Sequence, residues 1–399
     1  MKHLNRIMAL LFCCLLSVQQ YARCEAAKST FMPPAGAKKV IQYGWDRPTP
    51  EFLRDHLAEM ETRPFDGVVF RLPGDGGEVF NIDKWDEEKP EMQRQIQLLT
   101  ALKWHRFTDN FLVIRATSTM DWFSDSDWEK VLSKASLAAR AARAAHAKGI
   151  VFDPEPYGKS PWQYDKQIHA SDKSWEQYSA KARLRGRQFM QALQKDFPQL
   201  KLLMFYQYSV YYGVIKSPQD AALRGNAYGL MLPFLNGMLE TAGERVQLID
   251  GNEHSYSATR AEQFAFAYQI MREPQGYVDP ALREKYCRHV RAGQAVYVDL
   301  LFGTRQKIND FSKYMTPEEQ MQWFRYNLYY AQKYSDEYVW IYNEQIQWWR
   351  NRMLPPGIDA AIREVKQKIA EDRPLGFDIQ DSIVRAKQKR SDASPKEEP

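Results

Sequence analysis

Short apolar runs alternate along this chain with longer stretches in which apolar positions recur every three or four residues. The runs fall at residues 38–44, 65–72, 111–117, 150–155, 201–209, 245–252, 294–302 and 338–343. They are apolar at both parities, as strands covered on both faces should be. The intervening stretches read as helices. Thr49 caps one, with Pro50 at its first position. Others cover 90–104, 126–148 (Ser126 and Glu129 as a capping box, Gly149 as the stop), 174–196 and 221–241. Further helical patterns lie at 258–272 and 280–291; Thr316 and Pro317 open one to 334, and 358–370 closes the series. Eight strands each followed by a helix predict an α/β protein, a single (β/α)8 TIM barrel over residues 36–370. The rival, an open doubly wound sheet, lacks its usual glycine-rich phosphate loop: the first strand ends in YGWDRPTP, and GDGGE at 74–78 opens no helix.

The ends of the chain read differently. Lys2, His3 and Arg6 precede an apolar run at 7–18, and Ala22, Ala26 and Ala27 follow it. This predicts a signal peptide, residues 1–26, cleaved before a secreted or periplasmic chain. Cys24 raises lipoprotein anchoring as a weaker option, because Arg23 fits a cleavage site poorly. Residues 371–399 are charged and predict a short mobile tail.

The full chain has 399 residues, 55 Lys and Arg against 50 Asp and Glu, and a net charge of +5. Losing the leader removes Lys2, Arg6, Arg23 and Glu25 and leaves +3. Both signs are mixed, so no nucleic-acid footprint is expected. A mean hydropathy of -0.59 argues against multiple membrane spans. Cys13, Cys14 and Cys24 lie in the leader; only Cys287 remains, read as a packed small residue, so no disulfide framework and no thiolate metal site is expected. No cofactor is called for. Aromatic content is high, with 11 Trp, 22 Tyr and 20 Phe.

Barrel enzymes place their chemistry at the carboxyl ends of the strands. Here those ends carry Trp45 and Asp46, Arg71, Arg115, Asp153 with Glu155 and Tyr157, Tyr206 with Gln207, Asp250 with Asn252, Glu253 and His254, Asp299, and finally Tyr342 with Glu344 and Trp348. Folding needs none of these charges. Asp153 and Glu155 share parity in a turn stiffened by two prolines, and close carboxyl groups raise one another's pKa, as a general acid requires. Gly251 is expected to aim Glu253 inward through an unusual backbone angle. Trp340, Tyr342 and Glu344 share parity, placing two rings and an acid on one face.

The segment Gly149-Ile-Val-Phe-Asp-Pro-Glu-Pro-Tyr157 is similar to the fourth-strand signature of family 18 chitinases, Asp-Gly-x-Asp-x-Asp-x-Glu. Gly149, Asp153 and Glu155 match it; Lys148 and Val151 stand where that signature has two further aspartates. The resemblance implies Glu155 as the acid and Asp153 as its substrate-positioning neighbour. Acids on strands four and six resemble the placement in alpha-galactosidase-type barrels. The motifs YGWDRPTP, RPFDGVVFR, DGNEHSY and YVWIYNEQIQWW resemble those of uncharacterised secreted bacterial proteins.

The expectation is therefore a secreted glycoside hydrolase acting on a poly- or oligosaccharide, with Glu155, Glu253 and Glu344 as candidate catalytic acids. The alternative is a noncatalytic carbohydrate-binding barrel. Only His254 among the histidines falls at a strand end, which disfavours zinc; a calcium ion held by Asp and Asn oxygens stays open. Nothing resembles a nucleophile elbow.

Overall fold

The computed structural model describes residues 33–74, 77–83, 90–305, 308 and 310–393. The expected signal peptide lies outside the described residues, as do Asp75 and Gly76 of the GDGGE segment. No helix among the described residues is long and apolar enough to cross a membrane.

Nine strands form one all-parallel sheet: β1 Lys39–Gly44, β2 Gly67–Phe70, β3 Phe111–Arg115, β4 Gly149–Asp153, β5 Lys201–Met204, β6 Gln247–Asp250, β7 Val290–Ala292, β8 Gln294–Tyr297 and β9 Tyr338–Asn343. The spatial order is β7-β6-β5-β4-β3-β2-β1-β9-β8. Its two outer members, β7 and β8, are separated only by Gly293. The Gly293 N–H donates to the Asp250 carbonyl at 2.7 Å, while the Asp336 N–H donates to the Ala292 carbonyl at 2.8 Å. β7 and β8 thus act as one kinked strand that pairs with β6 through its first half and β9 through its second. The ring closes, and the eight-stranded barrel holds.

Helices cover the outside, and the sequence signals place most of them. Thr49 caps Pro50–Met60. Ser174 and Gln177 form a capping box on Trp175–Asp196, and Thr316 and Glu319 form another on Pro317–Lys333. Between sheet and helices sits an aromatic layer in which Phe80 meets Trp128, Phe152, Trp162, Phe189 and Phe234 with ring centroids 5.7–5.9 Å apart. Much of the aromatic surplus is therefore packing. Inside the barrel, Trp340 stacks on Phe205 at 4.5 Å and meets Tyr43 at 5.8 Å.

Several expectations shift. The cap of Asp125–Ala144 is Ser124, which accepts from the Asp127 N–H, rather than Ser126; the helix ends at Ala145, before Gly149. The stretch expected as one helix at 280–291 is a 3-10 turn, the short helix Arg283–His289 and β7. Apolar runs overshoot the strands, because residues such as Phe205 and Tyr206 stay buried after the ladder ends. Cys287 is exposed, contrary to the packed role expected for it. The tail expected over 371–399 contains a helix, Gln380–Ala393, seated through Ile383 and Ala386, with Arg385 paired to Glu319 at 2.8 Å.

Gly251 is required by proximity. A Cβ there would lie 2.6 Å from the Met204 carbonyl and 3.0 Å from Trp340 Nε1. The left-handed residue of this turn is instead Asn252, at φ 47°. Overpacking of this kind costs about 1–3 kcal/mol. Gly251→Ala is expected to lower stability by about that amount, read as a drop in Tm; an unchanged melting curve would refute the close packing.

Candidate active site

Four carboxyl groups face one another at the barrel mouth, each held by a different local device. Asp153 ends β4, fully buried, and its Oδ1 accepts the Glu155 N–H at 3.0 Å. Pro154 has no N–H to compete, and its carbonyl accepts Trp162 Nε1 at 2.7 Å, which pins the turn. The Glu155 carboxylate then meets the Tyr157 hydroxyl. Asp153 Oδ2 is buried with no hydrogen-bond partner.

Glu253 follows β6. Its N–H donates to the Phe205 carbonyl at 3.0 Å. The turn is fastened to β8 by Ser255, whose hydroxyl donates to the Ala295 carbonyl at 2.7 Å and accepts its N–H at 2.9 Å. Glu344 follows β9, and its N–H donates to Asp299 Oδ2 at 2.7 Å. The Tyr342 hydroxyl donates to its carboxylate at 3.1 Å.

Tyrosines ring these acids. Tyr342 lies 5.8 Å from Tyr43, 5.7 Å from Tyr256 and 4.9 Å from Tyr297, centroid to centroid. The rim carries Trp45, 58% exposed, with Nε1 donating to the Tyr342 hydroxyl at 2.8 Å, and Tyr157, 46% exposed. On the β1–β3 side stand Arg47, Arg71 and Arg115. Arg47 donates to the Tyr43 hydroxyl at 2.8 Å, and Arg115 pairs with Glu78 at 2.5 Å.

Burial is the main force on the acids, and it raises every one. Asp153 is pushed well above its ordinary value by burial and then by Glu155. Burial and then repulsion from Glu155, Asp153 and Glu344 push Glu253 well up too. Glu155 is raised by burial, against the Tyr157 hydrogen bond and with Glu344 adding to the rise. Glu344 is raised by burial, opposed by the hydroxyls of Tyr297 and Tyr342 and by Arg305. Water exclusion and mutual repulsion thus favour shared protons over four full charges.

Several expected site residues turn out to be scaffold. Asp46 accepts from Gln42 Nε2 at 3.0 Å, Asn343 Nδ2 at 2.9 Å and the Trp349 N–H at 3.2 Å. Asp299 caps the N–H groups of 344–346 and takes the Thr304 hydroxyl. Asp250 binds the Ser209 N–H and hydroxyl, and burial pushes it up to about 6. Asn252 Nδ2 donates to Gln294 Oε1 at 2.6 Å. Gln207 donates to the Ile249 carbonyl at 3.0 Å, and its Oε1 is buried without a partner. His254, its pKa lowered by burial, lines a small recess with Ser209, Tyr212 and Phe266. Trp348 is 1% exposed and packs edge-on against Phe65 at 4.9 Å, so it is core rather than platform. Tyr206 belongs to the mouth: its hydroxyl donates to that of Tyr228 at 2.5 Å, and it feels Glu155 and Glu253.

The sequence reading missed Arg47, Glu78, Tyr256, Tyr297 and Arg305. Tyr297 carried a signal, because it stands on the last residue of β8, where inward-facing chemistry gathers. Arg305 and Tyr256 lie in turns that no parity rule reaches.

No family model and no curated protein matches this sequence. Solved structures similar to it include a mutant of the Thermobaculum terrenum O-GlcNAc hydrolase, at 9% identity and TM-score 0.43, over 89% of this chain and 63% of that one. A GH18 chitinase from Pseudoalteromonas aurantia is similar at 12% identity and TM-score 0.36, over 82% of this chain and 99% of that one. A third is described as a sugar phosphate isomerase/epimerase of Anabaena variabilis, at 12% identity and TM-score 0.42, over 89% of this chain and 99% of that one. The barrel assignment rests on the strand ladder itself.

The raised acids have a consequence for stability. A carboxyl whose folded pKa exceeds its unfolded value binds more protons when folded, so stability falls as pH climbs from about 4 through the folded value. Glu253→Gln keeps the size and shape of the side chain and removes the ionisation. Its Tm is expected to exceed the parent's by about 2–4 °C near pH 7.5, with the gap closing near pH 4. A variant less stable at pH 7.5 than at pH 4, relative to the parent, would contradict the burial account.

Proposed function

We propose that this chain is a glycoside hydrolase that cleaves a poly- or oligosaccharide at the barrel mouth. The observation that carries the reading is the group Asp153, Glu155, Glu253 and Glu344, each raised by burial within a ring of tyrosines at the carboxyl ends of the strands. Glycosidic cleavage needs one protonated carboxyl to release the leaving oxygen and one ionised carboxyl to attack or to activate water.

Glu155 fits the acid. It is partly exposed to the mouth, its turn is rigid, and burial with the nearby Glu344 holds its proton on. Glu344 fits the anion, because the Tyr297 and Tyr342 hydroxyls and Arg305 all favour its charged form. Glu253, which feels the charge of both, is the second candidate for the ionised role. Asp153 orients Glu155 through its backbone. Trp45 offers an exposed indole face on which a sugar ring can stack, held in place by Tyr342. Export through the predicted leader would bring the enzyme to extracellular or periplasmic glycans.

The test is turnover on a glycan panel read by release of reducing ends. Glu155→Gln is expected to lower kcat by about 100- to 10,000-fold, with substrate binding retained. Glu344→Gln should lose turnover comparably. Unchanged turnover in the Glu155 variant would overturn its assignment as acid. Binding by the parent protein without any turnover would establish a carbohydrate-binding barrel instead.

A further inference from the structure

The cations at the mouth are divided unevenly among partners. Arg115 is matched by Glu78 at 2.5 Å. Arg47 spends one nitrogen on the Tyr43 hydroxyl at 2.8 Å, yet its Nε is buried with no partner. Arg71 is half-buried just beyond β2, with its backbone N–H tied to the Pro48 carbonyl at 3.0 Å. Among the described residues its guanidinium makes no hydrogen bond or ion pair. It stands near two like charges, Arg47 and Arg115, with Glu51 as its acidic neighbour. Glu51 is itself engaged by Arg94 and Gln95, and Glu78 by Arg115.

Clustered arginines repel one another, and nothing about folding requires an unpaired one here. Such a fork is suited to a planar or tetrahedral oxyanion, which it binds through two parallel N–H donors. The acids flank this cationic arc, since β4 lies beside β3 and β9 beside β1, with β6 farther round the ring. The site is therefore divided, with positive charge beside β1–β3 and carboxyl groups beside β4, β6 and β9.

We infer that the substrate is an acidic glycan, whose carboxylate or sulfate substituent seats against Arg71 and Arg47 while the neighbouring glycosidic bond lies over Glu155. This rests on the glycosidase reading but fails separately from it. Two parallel charge-assisted hydrogen bonds correspond to a preference of about 10- to 100-fold for the acidic sugar.

The experiment compares three ligand sets: uronic-acid oligosaccharides, the same molecules with each carboxyl reduced to a hydroxymethyl group as the neutral set, and those reduced oligosaccharides carrying O-sulfate. Binding is measured by calorimetry on the Glu155→Gln protein and cleavage on the parent. Preference for the uronates identifies the carboxylate as the anchoring group, and preference for the sulfated set identifies the sulfate. Arg71→Gln should cut the acidic-to-neutral ratio by about 10-fold or more, with Arg71→Lys recovering part of it. Added salt should weaken acidic binding more than neutral binding. Acidic ligands that bind through Arg71 without being cleaved would support the acidic site and overturn the hydrolase reading. Equal use of reduced and acidic oligosaccharides, or a ratio unmoved by Arg71→Gln, would overturn the inference while leaving hydrolysis intact. No binding by any set would overturn both.

Discussion

Removing a carboxyl group from water costs several kcal/mol unless it is paired, hydrogen-bonded or left protonated. The barrel mouth takes that cost repeatedly. Asp153 is fully buried with one oxygen unpartnered, and Glu155, Glu253 and Glu344 stand around it within a wall of tyrosine rings. No arginine makes an ion pair with any of the four among the described residues. The hydroxyls of Tyr157 and Tyr342 donate to Glu155 and Glu344 without supplying charge, so they moderate the cost without removing it. The result is a set of acids all held above the ordinary carboxylate range.

The rest of the fold supports this placement. Strand ends bring the acids together, but the scaffold carboxylates fix their direction. Asp299 gathers the three N–H groups that start the turn at Glu344. Asp46 knots β1 to the turn after β9 through Gln42, Asn343 and Trp349. Trp340 fills the lumen under the acids and donates to the Gly251 carbonyl at 2.9 Å, which ties β9 to the turn that carries Glu253. These buried hydrogen bonds convert a tolerant barrel into a site with defined geometry.

The barrel itself was legible because strands covered on both faces must be apolar at both parities. Pattern reading failed where that rule relaxes. β7 follows a helix directly and bends at Gly293, so its first two residues, Val290 and Arg291, read as the end of that helix. The helix Gln380–Ala393 shows only Ile383 and Ala386 as an apolar stripe in a charged segment, and passes for a tail. At the site, strand parity put Asp153 and Glu155 on one side of β4 and Trp340, Tyr342 and Glu344 on one face of β9, and the structure sets the Tyr342 hydroxyl against Glu344. Parity could not separate acids gathered at the mouth from acids that cap loops, because both kinds sit at strand ends. Asp46, Asp250 and Asp299 carry the same sequence signal as Glu155. Only the hydrogen bonds that saturate their oxygens distinguish them.

The central claim is that burial holds Glu155, Glu253 and Glu344 above the ordinary glutamate range and that the charge of Glu344 raises the other two. The most direct measurement is a carbon-13 NMR titration of the protein labelled at glutamate carboxyls, repeated in Glu344→Gln. The account predicts three resonances titrating above the ordinary glutamate value of about 4.3, with the Glu155 value falling when Glu344 loses its charge. Three glutamates titrating independently near that ordinary value, unmoved by Glu344→Gln, would contradict it.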